Sequence, residues 1–291
     1  MVSKSKPELE GFHPNKENTP NIGGISFVVF TIVTTLIFAK ISPRMIYLLT
    51  AIICFAFLGF IDDYYKQKSE NGDGIKSTTK LFWQVVFALI FVSYGTFYNF
   101  IGTGIPYLMG NSFFSVILEN SILTFLMVYF VNAFNITDGL DGLVGFVSLP
   151  LCVVLILVAL TLQSSQMELV LATSIFAAII AFLQFNKYPA KYFMGDCGSM
   201  ALGVTLFLIA ATLKVPFIFF IASLMVSIEL TTSLIQIIAI RVFDKKVFSI
   251  APIHHMLEKK GDSEIKIVSQ FTKISALFSI FALLIFYYFY G

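Results

Sequence analysis

The sequence predicts an all-α, polytopic transmembrane helical bundle of about nine spans, formed as a single domain over residues 1–291. Three observations lead there. Hydrophobic residues make up 57% of the chain and charged residues 12%, about half the charged share of water-soluble domains, and the mean hydropathy is +0.87. Apolar stretches long enough to cross a bilayer recur along the whole length. The polar residues between them are gathered into short islands, none long enough to fold alone.

A helix needs roughly 20 apolar residues to cross about 30 Å of hydrocarbon. Stretches at about 22–40, 45–61, 81–100, 116–134, 143–162, 168–186, 199–213, 215–240 and 267–290 qualify. The first two are separated only by Ser42-Pro43-Arg44, and the second ends in Asp62-Asp63. Residues 101–120, with Gly102, Gly104, Pro106 and Gly110, read as a loop or hairpin before the fourth span. The fourth runs into Asn132-Ala-Phe-Asn135-Ile-Thr-Asp138-Gly139-Leu140-Asp141-Gly142, and the fifth starts directly after it. Residues 163–167 make a short link to the sixth, which ends at Asn186. The seventh follows Phe193-Met-Gly195-Asp196-Cys-Gly198-Ser199, with Ser199 as its expected cap. Lys214-Val215-Pro216 leads to the eighth, on which Glu229 and Gln236 share one face and should point into the bundle, since both are costly in lipid. The ninth follows Pro252-Ile-His254-His255-Met-Leu-Glu258 and ends in Tyr287, Tyr288 and Tyr290, which suit a membrane interface.

Parity places residues 1–21, 62–80, the loop after the fourth span, 187–198 and 241–266 on one face. Those segments hold fifteen of the 19 Lys and Arg, while Lys40, Arg44 and Lys214 fall opposite and Lys273 lies within a helix. The positive-inside rule makes the crowded face cytoplasmic. Cys54, Cys152 and Cys197 lie far apart without a CxxC, so no disulfide framework is expected. The N-terminal residues show no signal-peptide pattern, so insertion should rely on the first span.

The islands therefore meet at one membrane face. Adjacent carboxylates at Asp62 and Asp63 repel and need a compensating cation; magnesium, a hard ion that leaves coordination sites for phosphate, suits them. A solvated helix end with Lys66 as a partner at i+3 or i+4 spacing explains the pair equally well. In the second island a capped turn accounts for one acid, but not for Asp138 and Asp141 together with Asn132 and Asn135. Asp196 lies between two glycines before a helix, where backbone and metal can approach closely. His254 and His255 lack the further ligands that a zinc site needs and fit phosphate contact better. Lys16, Lys66 and Lys80 lie near these motifs and are the basic residues best placed for function.

In this order, HPNKENTPNIGG, GFIDDYYK, NITDGLDG, FMGDCGS and APIHHMLEKKG resemble the motifs of the polyprenyl-phosphate N-acetylhexosamine-1-phosphate transferases, over nearly the whole chain. Within that superfamily the chain is most similar to the phospho-N-acetylmuramoyl-pentapeptide transferases. The resemblance implies an enzyme of the bacterial plasma membrane, with a cytoplasmic active site, that moves phospho-MurNAc-pentapeptide from UDP to undecaprenyl phosphate in peptidoglycan synthesis. It implies Mg²⁺ held by Asp196, with Asp62 and Asp63 as the acidic pair and His254 as an essential histidine. Lys16, Asn135, Asp138, Gly139, Leu140, Asp141, Asn186, Phe193 and His255 would line the nucleotide site, with Phe193 on the uracil; Lys66 and Lys80 would contact phosphate. The chain departs from the pattern at Cys197, Met256, Leu257 and Asn18-Thr19-Pro20, and set against the family's motifs the sequence is expected to begin after the family's first span. Because family homodimers are built partly from terminal helices, that departure bears on assembly. Two other readings stand beside this one: a sister transferase using UDP-GlcNAc, and an ion-coupled transporter, which would carry its acids near the bilayer midplane.

Overall fold

The structure, a computed structural model, describes residues 19–69, 72–106, 112–163 and 166–290. Among them are eleven helices: α1 (Gly23–Phe38), α2 (Pro43–Lys68), α3 (Ser77–Phe97), α4 (Phe113–Thr137), α5 (Leu143–Thr161), α6 (Gln166–Asn186), α7 (Gly195–Thr212), α8 (Pro216–Ala222), α9 (Leu224–Phe243), α10 (Ile253–Lys259) and α11 (Glu264–Tyr290). Eight are long and apolar enough to cross a membrane, and α1, with 16 residues, is a shorter apolar helix. The all-α membrane bundle is thus as expected.

Local chemistry sets several helix ends. Ser42 accepts from the Met45 amide and Pro43 opens α2, a good first helical residue because its missing N–H has no partner to lose there. Ser112 caps α4 in the same way through Ser115. The single span expected over 215–240 is instead two helices, α8 and α9, meeting at Ser223, whose hydroxyl bonds back to the Phe219 carbonyl. Continuous apolar composition conceals such a break. On the face opposite the islands, Arg44 pairs with the buried Glu168 at 2.8 Å and ties the start of α2 to α6.

α7 is the axis of the bundle, buried along almost its whole length. It packs against α2 and α4, and also against α1; α5, α8 and α11 form a second group beside it, while α3 lies at the edge against α4 and α2. The α2–α7 crossing is close because Gly59 presents no side chain: a Cβ there would collide with the Asp196 carbonyl. This contact lies one turn before Asp62 and Asp63, so it brings both to the N-terminal end of α7.

Candidate active site

The first turn of α7 carries Asp196 but has no side-chain cap of its own; its N-cap is Met194. The cap comes from α2. Asp63 accepts from the Asp196 amide (3.2 Å) and the Cys197 amide (3.0 Å), and Asn21 donates to it at 3.0 Å. A carboxylate at a helix N-terminus satisfies orphan amides and complements the helix dipole. The helix consequently starts at Gly195, four residues before the expected span, and Ser199 is not its cap. Ser199 sits inside the first turns, donating to the Gly195 carbonyl and accepting from Asn135 Nδ2 at 2.9 Å.

Asp62, buried beside Asp63, accepts from the Ile75 amide at 2.7 Å. Its other oxygen pairs with Lys66 Nζ at 2.7 Å, the i+4 member of the two spacings the sequence left open. Lys66 also reaches Asp196 at 2.8 Å. Lys80, from α3, pairs with the second oxygen of Asp196, donates to Asn135 Oδ1 at 3.1 Å and lies 3.6 Å from Asp62. Four helices thus deliver two acids, two ammonium groups and an amide to one cluster, a set suited to gripping phosphate oxygens.

Asp138, at the C-terminal end of α4, joins this cluster to the rest of the island. Burial, with the Asp196 and Asp63 carboxylates nearby, holds its carboxyl well above the usual carboxylate range. Asp138 thus stands close to two other carboxylates, and an acid-rich spot of this kind can accommodate a hard cation. Among the described residues no group of three or more His, Cys, Asp or Glu forms a metal cage. Magnesium does not need one, since it commonly binds through one or two carboxylates and substrate phosphates. The donor chemistry of Asp196 fits that mode.

The histidines lie on α10, and His254 is fully buried. Its Nδ1 meets Glu229 Oε2 at 2.6 Å, both side chains being 0% exposed. Its Nε2 has no hydrogen-bond partner among the described residues and points at Gly139, where a Cβ would strike it. The absence of a side chain at Gly139 leaves that nitrogen facing the Asp138–Gly139 turn. Gln236 fastens the segment before α10: it accepts from the Val247 and Phe248 amides and donates to the Phe248 carbonyl at 2.9 Å. His255 is more exposed and pairs with Glu258 at 2.7 Å. Sequence reasoning placed Glu229 and Gln236 in the interior without a specific job. The signal was their position, two polar side chains seven residues apart on an apolar helix.

Burial pushes the His254 pKa below its ordinary 6.5. As pH falls, an unfolded chain takes up this proton before the folded one, so stability rises with pH across the interval between the folded value and 6.5. The protein is expected to lose thermal stability on acidification below about 6.5. Thermal unfolding at pH 5.5 and 7.5 checks this, because His254→Gln should show a smaller difference than the native chain.

The remaining expected residues form a third group. Asn186 donates to the Tyr192 carbonyl at 2.9 Å, and its buried Oδ1 has no partner among the described residues. Asp141 accepts from the Ala190 amide at 2.9 Å, while its own amide donates to Glu264. Phe193 is half-buried, and its backbone pairs with the Pro20 carbonyl and the Gly23 amide. Leu140 is 4% exposed and belongs to the apolar core, with Gly139 exposed beside it. Lys16 lies outside the described residues.

This geometry can be set beside known proteins. A family model described as glycosyl transferase family 4 matches residues 45–214. The chain belongs to glycosyl transferase family 4. It is 32% identical over 283 residues to the phospho-N-acetylmuramoyl-pentapeptide-transferase of Bacillus subtilis (strain 168), covering 94% of this chain and 85% of that protein. It is 35% identical over 272 residues to the protein of the same name from Clostridium beijerinckii, covering 92% and 82%. A third relative of that name, from Clostridium perfringens (strain 13 / Type A), is 34% identical over 276 residues, covering 93% and 85%. The glycosyl transferase family 4 match spans α2 to α7, so it includes the acid–lysine cluster, Asp138 and the Asn186–Phe193 segment. The Glu229–His254 lock lies beyond it, in the region covered by the full-length relatives.

Proposed function

We propose that the chain transfers phospho-N-acetylmuramoyl-pentapeptide from UDP-MurNAc-pentapeptide to undecaprenyl phosphate, yielding lipid I and UMP for peptidoglycan. The observation that carries this reading is the 32–35% identity, over more than nine-tenths of the chain, to relatives bearing that name. The distribution of Lys and Arg supports a cytoplasmic site in a bacterial plasma membrane.

In the reaction, an oxygen of the lipid phosphate attacks the sugar-side phosphorus of the donor pyrophosphate. The bond from that phosphorus to the bridging oxygen breaks, and UMP departs with the oxygen. Such transfer depends on positioning and charge neutralisation more than on covalent chemistry. Lys66 and Lys80, already gathered by Asp62 and Asp196, exchange carboxylate contacts for phosphate oxygens. Asn186, Asp141 and Phe193 hold the nucleoside, with the unpartnered Asn186 Oδ1 available to a base N–H. Asp196 is the residue that would hold Mg²⁺. When bound, that ion supplies neutralisation of the pyrophosphate and of the leaving UMP. Both oxygens of Asp62 and both of Asp63 are engaged within the protein, which supports direct attack by the lipid over an aspartyl-phosphate intermediate.

The lipid has a route to this centre. A cavity of about 560 Å³ between α2 and α3 is walled by Phe57, Leu58, Ile61, Trp83 and Phe87 and is also lined by Ile75, whose amide holds Asp62. It suits the first isoprene units of the acceptor, with the phosphate end beside the lysines. Purified protein offered UDP-MurNAc-pentapeptide and UDP-GlcNAc, each radiolabelled and with undecaprenyl phosphate and Mg²⁺, is expected to turn over the first at least 100-fold faster, the order that selective contacts to a substrate's polar groups can produce. Preference for UDP-GlcNAc would assign the chain to the sister activity. The acids' location at helix ends disfavours the transporter reading.

A further inference from the structure

α11 carries a lysine within the membrane that neither the fold nor the transfer chemistry uses. Lys273 is nine residues beyond Glu264, so its Cα lies about 13 Å along the helix axis from the helix start. The side chain is exposed, and no ion pair holds it among the described residues. A cation within the apolar run of a membrane helix is costly if left in lipid, which makes it a functional candidate. Helical side chains lean toward the N-terminus, so the ammonium group reaches back toward the face that bears the active site. Lys187, just past the end of α6, stands there, also exposed and without an ion pair among the described residues.

Between them opens a cleft of about 470 Å³ with an amphipathic lining. Phe146 of α5 and Ile265 and Val268 of α11 make it apolar, while Lys187, Tyr188 and Lys273 line its polar part. Asp141, also on its lining, accepts from the Ala190 amide. We propose that this cleft binds an anionic glycerophospholipid, its head-group phosphate held between Lys187 and Lys273 and an acyl chain lying along Phe146 and Val268. The charge pattern fits a molecule that is anionic at one end and apolar beyond it, and basic pockets between membrane helices bind anionic head groups in this way. A soluble anion would meet the lysines but leave the apolar wall uncovered. The site is separate from the α2–α3 cavity and does not depend on the transferase reading.

The full-length protein in phosphatidylcholine nanodiscs, doped with phosphatidylglycerol carrying a diazirine on its acyl chain, tests the assignment. After irradiation, peptides containing Phe146 and residues 265–273 are expected to be labelled at least fivefold more than with the corresponding phosphatidylcholine probe. In Lys187→Gln/Lys273→Leu the labelling should fall to the phosphatidylcholine level. It should persist in Lys259→Gln/Lys260→Gln, whose lysines lie outside the cleft lining, and in the presence of saturating UMP. Equal labelling by both probes, or undiminished labelling in the first double variant, overturns the proposal. Displacement by UMP would assign the cleft to the nucleotide, and protein–protein crosslinks there in place of lipid would assign it to a second copy of the chain; either result also overturns it. Labelling elsewhere on the protein serves as the internal measure that each variant is folded.

Discussion

Asp196→Asn is expected to lower turnover by about 10³-fold, the order seen when a group that stabilises transition-state charge is removed. In this cluster the Asp196 side chain gathers Lys66 and Lys80, and it is the residue proposed above to hold magnesium. The fold should survive, because α7 is capped through the backbone amide of residue 196, which the substitution keeps, and through Asp63. UMP release measured against magnesium concentration, together with thermal unfolding, separates the two effects. The expected pattern is near-native unfolding with turnover that added magnesium does not restore. Chelating the metal should silence the native protein to a similar degree. Near-native activity in Asp196→Asn would remove the basis for placing the metal and the phosphates here.

Glu229→Ala should cost both stability and activity. It strips the partner from a histidine that solvent cannot reach, and leaving a buried polar group unpaired costs roughly 1–3 kcal/mol, more if the group is charged. The ring would also lose the contact that fixes which nitrogen faces the Asp138–Gly139 turn. Turnover is therefore expected to fall by about 10²-fold, the scale of losing an oriented acid–base or hydrogen-bonding group. Glu229→Gln retains an acceptor for Nδ1 and should recover part of both. Thermal unfolding and UMP release on the two variants decide the matter, since equal behaviour of the alanine and glutamine proteins would show that the contact positions nothing.

Much of this arrangement was legible in the chain because membrane segments and polar islands differ so sharply in composition. The hydropathy pattern located most spans within a few residues, and the short islands marked which ends would meet. Less visible were contacts made at long range. Asp63 was readable as one half of an acidic pair, but its role as the cap of α7 depends on a helix 133 residues away. That same contact moved the helix start to Gly195 and left Ser199 with a different task. The partner of His254 lay 25 residues upstream inside an apolar run, where a carboxylate can be flagged as costly but not paired. The break at Ser223 left no trace in composition. Leu140 sat among polar neighbours, yet its side chain turns into the core, because adjacent residues in a tight turn need not face the same way.

The bare backbone at Gly59 has a wider implication. By seating one helix directly on the carbonyl of the residue that bears the third acid, it makes the two acid-bearing ends a single rigid jaw. Thermal tilting of either helix in a soft bilayer carries all three carboxylates along together, so their spacing is insulated from fluctuations in membrane thickness. A movement of either helix that admitted substrate would likewise carry all three acids with it.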